Sequence, residues 1–144
     1  MRQSLHSSRD HGVENILDSL ASLDVDSVLA HLSDDARLSF GRSRIAHGKP
    51  AIRKVLIRTL GLLDSLHCVP VAIWTANTVA VVELDVAFER ADGGGLIVPA
   101  TMVLRFSGHA VSDVTICAYV SAMPVGLRKT VARERVPAPS AAAC

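Results

Sequence analysis

The second half of the chain constrains the fold most. After Asp64 four stretches read as strands: "LHCVPVAIW", "TVAVVELDVAFER", "LIVPATMVLRF" and "AVSDVTICAYV". Asn77, "ADGGG" and "SGH" supply the turns between them. Long strands joined by short turns predict an antiparallel meander, whose apolar face must be covered. The cover is encoded upstream. Val13, Ile16, Leu17 and Leu20 follow the i, i+3, i+4, i+7 spacing of an amphipathic helix, and Val25, Val28, Leu29 and Leu32 repeat it behind Asp24, a helix-capping residue. "ARLSFG" reads as a short strand, and "GKPAIRKVLIRTLGLL" as a third helix with Pro50 in its first turn. The apolar face of that helix is Ile52, Val55, Leu56, Leu60 and Leu63. Helices followed by strands define an α+β fold: three N-terminal helices packed against a strongly bent, mostly antiparallel sheet. Such a sheet can wrap around the long helix to make a cone, and the open mouth of such a cone is a natural pocket.

Within "VAVVELDVAFER" the two strand faces differ. Val82, Leu84, Val86 and Phe88 form one, while Glu83, Asp85 and Glu89 share the other with Val81 and Ala87. Either the acids face water or they line a cavity where a carboxylate has a use.

With 144 residues, 49% apolar and 20% charged, the chain is expected to form one folded domain. From Val13 to Met123 there are 9 basic and 12 acidic residues, a net of −3, so the body offers no electrostatic reason to bind nucleic acid. The tail after Pro124 carries Arg128, Lys129, Arg133 and Arg135 against Glu134, a net of +3, and ends in "VPAPSAAAC". It is expected to be a disordered basic and Ala-Pro-rich end over residues 126–144, as residues 1–12 are expected to be a flexible N-terminus. No run is long enough to span a membrane, and "MRQSLHSSRDHG" lacks the apolar core of a signal peptide. Cys68, Cys117 and Cys144 have no CxxC spacing, which argues against a disulfide framework or a structural zinc site and fits a reducing, cytoplasmic location. No His and acid show metal-ligand spacing, so no metal is expected.

Several stretches taken in order carry a family resemblance. "SLDVDSVLAHLSDDARLSFG", "HGKPAIRKVL", "LHCVPVAIW" with "NTVAVVELDVAFERADG", and "VPATMVLRFSGHAVSD" resemble the SnoaL-like branch of the nuclear transport factor 2-like superfamily, over residues 13–125. The resemblance implies a cone-shaped α+β barrel, a largely apolar cavity, no cofactor, and a homodimer formed through the sheet. Relatives of this kind include polyketide cyclases, ketosteroid isomerases and limonene-epoxide hydrolases, along with proteins that do no catalysis, so the fold does not decide the function.

Carried over residue by residue, the resemblance gives a mixed answer. The steroid isomerases' base falls at Phe40, their oxyanion-hole Tyr at Ile16 and their protonated Asp at Met102. All three positions are apolar here and line the expected cavity, which argues against an isomerase mechanism. The epoxide hydrolases' Arg-x-Asp pair resembles Glu83-x-Asp85, and their last-strand Asp falls at Thr115, with Asp113 two residues earlier on the same face. By this resemblance Glu83 and Asp85 point into the cone, and Val82, Leu84, Val86 and Phe88 pack outward against a partner subunit. Asp85 and Asp113 would then be acid and base. Thr115, Tyr119 or His67 would hold the oxygen on which charge develops, and Trp74 would cap the cavity or pack in the core. The expected function is cofactor-free acid–base chemistry on a hydrophobic, oxygen-bearing small molecule: cyclisation, isomerisation, dehydration or epoxide opening. The alternative is a non-catalytic small-molecule-binding or dimerisation module of the same fold.

Overall fold

The computed structural model describes residues 8–118. The elements are α1 (Ser8–Ala21), α2 (Val25–Ala30), β1 (Leu32–Phe40), β2 (Ser43–His47), α3 (Lys49–Leu60), β3 (Leu63–Ala76), β4 (Val79–Arg90), β5 (Gly95–Ser107) and β6 (Ala110–Ala118). The 126–144 tail and Tyr119 lie outside the described residues. Helix α1 starts at Ser8, inside the 1–12 stretch that the sequence reading assigns to a flexible end.

Helix α1 buries Val13, Ile16 and Leu17. Gly12 stands where α1 crosses the Phe106 ring: a Cβ there would lie 3.2 Å from that ring, so the small residue sets the approach. Helix α2 is capped by Asp24, whose side chain accepts hydrogen bonds from the backbone N–H of Asp26 (3.0 Å) and Ser27 (3.4 Å). Helix α3 ends at Leu60 rather than running on to Leu63. Gly61 closes it, donating from its N–H to the Ile57 carbonyl, and a Cβ on Gly61 would press within 2.8 Å of that oxygen.

The six strands form one open sheet in the order β2-β1-β6-β5-β4-β3. Neighbours are antiparallel except β1 and β6, which pair in parallel, Leu38 opposite Val114 and Phe40 opposite Ile116. The four long strands fall where the alternation places them. Strand β2 is an addition: "SRIAH" is short and too polar to show a strand period. Helix α1 packs on β3 and β4, and α3 on β1 and β2, so both cover the same face of the sheet and share one apolar core with it.

The facing of β4 corrects the sequence expectation. Ala80, Val82 (0% exposed), Leu84 (1% exposed) and Phe88 point inward and are buried. Val81, Glu83, Asp85, Ala87 and Glu89 alternate with them on the outer face. The reason is energetic. Burying a Val, Leu or Phe side chain stabilises by about 1.5–3 kcal/mol, whereas a carboxylate taken out of water without a partner is costly. With the apolar stripes of α1 and α3 on one side only, the uninterrupted aliphatic face of β4 turns to them.

Candidate functional site

The register of the sheet defines rows of side chains on each face. On the inner face Phe40, Ile116, Met102 and Val82 lie side by side across β1, β6, β5 and β4. The next row is Leu38, Val114, Leu104 and Ala80. The deep members of these rows, Met102, Leu104, Val82 and Ala80, are fully packed. Toward β1 the packing loosens: Leu38, Phe40, Val114 and Ile116, together with Val55 and Leu56 of α3, are apolar and only half-buried against the core. These six form a half-buried apolar patch on the side of the sheet that α3 covers.

Three of the sequence-predicted positions meet on this inner side. Ile16 and Met102 are in the core cluster, and Phe40 packs against it. The other members of the half-buried patch, Leu38, Val55, Leu56, Val114 and Ile116, are apolar positions that the sequence presents as ordinary core. Among the described residues no buried side chain is polar or charged. Cys68, a free thiol that faces inward opposite Val86, follows the same trend: burial pushes its pKa up to about 11, so it stays protonated. The described inner side is thus apolar and presents no buried acid or base.

The other candidates lie on the outer face, which corrects their expected placement. Glu83 stands between Thr101 and Ala72, and Asp85 between Pro99 and Val69. Asp113 is held by Arg37, whose Nε is 3.5 Å from Oδ2, and accepts a hydrogen bond from the Thr115 hydroxyl at 3.3 Å. Asp85 and Asp113 are not a pair. Asp113 is level with Arg105 and Val79, and six residues of β4 separate Val79 from Asp85, roughly 20 Å at strand rise. His67 is exposed opposite Ala87, and Trp74 is 57% exposed opposite Val81, neither a cap on the inner apolar patch nor a core residue. Cys117 is disulfide-bonded, where the cysteine spacing argues against a disulfide framework.

A second concavity of about 190 Å³ opens between α1 and the β5–β6 turn. His11, Asn15, His31 and His109 surround its apolar floor of Ile16 and Phe106, and His31 Nε2 lies 3.0 Å from the Ser19 hydroxyl. These groups come from distant parts of the sequence, so no local spacing announces them. Among the described residues no three His, Cys, Asp or Glu side chains are placed to hold a metal ion.

An open six-stranded mixed sheet with helices packed in its concave face is the cone fold of the nuclear transport factor 2-like class. The family model for the SnoaL-like domain matches residues 13–114, and the chain belongs to that family. Similar solved structures agree on the fold. A protein of Shewanella putrefaciens CN-32, described as a SnoaL-like polyketide cyclase, is 12% identical over 87% of this chain and 98% of its own, with a TM-score of 0.75. An LEH-like epoxide hydrolase of M. tuberculosis is 23% identical over 88% of this chain and 94% of its own, with a TM-score of 0.70. A hypothetical protein of Catenulispora acidiphila DSM 44928 with a ketosteroid isomerase-like fold, solved in complex with trimethylamine, is 14% identical over 73% of this chain and 82% of its own, with a TM-score of 0.65. No curated protein matches the sequence.

Proposed function

We propose that the chain is a small-molecule-binding module that takes a hydrophobic ligand into a cleft at the half-buried apolar patch between α3 and the sheet, and whose outer sheet face is covered by a second copy of the chain. The observation that carries the reading is the facing of the strands: the inner side offers half-buried Leu38, Phe40, Val114 and Ile116, while Glu83, Asp85 and Asp113 face away from it. The trimethylamine complex of the Catenulispora protein lends support, as a small molecule held by a protein of this fold.

Calorimetric titration with a homologous series of straight-chain alcohols tests the ligand class. Each methylene buried contributes about 0.8 kcal/mol, so affinity rises about fourfold per carbon until the cleft is full. Phe40→Ser and Ile116→Ser weaken binding at least tenfold, while Asp85→Asn and Asp113→Asn leave it unchanged. Flat affinity across the series, or loss of binding in either Asn variant, overturns the reading.

A catalytic reading is favoured by the LEH-like epoxide hydrolase among the structural neighbours. Absence of turnover of an apolar epoxide by the unsubstituted chain removes that reading.

A further inference from the structure

The outer face carries its own order of charge. Its first row across the sheet is Arg37, Asp113, Arg105 and Val79. The second is Ser39, Thr115, Val103, Val81 and Trp74, and the third includes Thr101, Glu83 and Ala72. Arg37 is matched by Asp113 within the chain. Among the described residues neither Arg105 nor Glu83 has an ion pair, and both are exposed. A cation, with Asp113 its cross-strand neighbour but already held by Arg37, and an anion, with Asp85 two residues along, therefore stand on opposite sides of a mostly apolar row.

Resting on the reading of this face as a subunit interface, we propose that its register is set by reciprocal ion pairs between Glu83 of one copy and Arg105 of the other. The geometry is that of an isologous contact. Val79, beside Arg105, and Glu83 are four residues apart on β4, roughly 13 Å at strand rise, with Val81 midway. A twofold axis lying in the interface along the Val103–Val81 row brings the first row of one copy over the third row of the other. Each Glu83 then sits above the partner's position 79, one strand spacing (about 4.8 Å) from Arg105, within reach of an arginine side chain. The same axis stacks Val81, Val103 and Trp74 of the two copies at the centre. Four strands about ten residues long cover roughly 600 Å² in projection, comparable with the roughly 800 Å² per partner of a stable interface. A carboxylate closed into such an interface needs a charged partner, and Arg105 of the other copy supplies one across the axis.

Sedimentation of the full chain and its variants is the test. The unsubstituted chain is expected to sediment as a dimer, and Glu83→Arg and Arg105→Glu each to raise the dimer dissociation constant at least tenfold. The two single variants mixed are expected to form heterodimers, since each then meets opposite charge at both contacts, and the double variant to recover dimerisation. Both positions are exposed, so circular dichroism is expected to be unchanged throughout. A monomeric unsubstituted chain overturns the interface itself. A dimer indifferent to both substitutions, or single variants that do not rescue each other, overturns the register while leaving the interface standing.

Discussion

Cys68 shows how a single position reports the character of the interior. Its thiol sits on the inner face, and burial raises its pKa from 9.0 to about 11. Because the folded value lies above the unfolded one, the stabilising contribution of the neutral thiol is complete below about pH 9. It is lost as pH rises through about 11. Stability measured by urea unfolding is therefore expected to fall across that window, and Cys68→Ala to remove this part of the fall. Reactivity follows from the same shift. At pH 8 two pKa units leave about a hundredfold less thiolate, so iodoacetamide labels Cys68 about a hundredfold more slowly in the native chain than in urea, as read by mass spectrometry. Ile16, Phe40 and Met102 were legible as inner positions because a family resemblance fixed their place in the cone. Glu83, Asp85 and Asp113 were misread from the same source, because strand faces exchange on a one-residue offset.

Strand β4 carries the argument at the next scale, since its two faces decide what the cone contains. Leu84 is packed to 1% exposure and Glu83 is open. Leu84→Ala is expected to cost about 2–5 kcal/mol in urea unfolding, and Glu89→Gln, at an exposed position of the other face, less than about 0.5 kcal/mol. Equal costs would mean that the faces are assigned the wrong way round. The alternation of β4 through β6 and the i, i+3, i+4 stripes of α1 and α3 were visible in the sequence because each records burial on one side of a regular element. Strand β2 was not visible, because five residues that include Arg44 and His47 hold too little apolar periodicity. Nor was the parallel pairing of β1 with β6, since no local pattern states which distant strand a segment joins. An apolar pocket lined by Phe40 was expected, but not its half-covered neighbours: Leu38, Val55 and Ile116 look like core in sequence, and only packing shows that they are half-covered.

For the molecule as a whole, the outer face determines behaviour in solution. Val69, Val71, Trp74 and Ile97 (64% exposed) leave a broad apolar surface on a single copy, larger than scattered exposed side chains would produce. Trp74 is the sole tryptophan and sits on that surface. Its emission is expected to shift to the red on dilution as subunits part, at the concentration where sedimentation shows dissociation. A spectrum independent of concentration, with Trp74 already solvated, would indicate that no second copy covers it. The parallel strand pair at the middle of the sheet has a further consequence for how the chain is made. Leu32 finds its place beside Val111, which leaves the ribosome only after β2 through β5 have been synthesised. Until then the β1–β2 hairpin has nothing to bind along its inner edge, and the concave lining made by β3, β4 and β5 waits without its neighbour. The sheet is thus completed by a closing step rather than an accumulating one, and a nascent chain arrested before β6 exposes both unpaired edges to chaperones and to other chains.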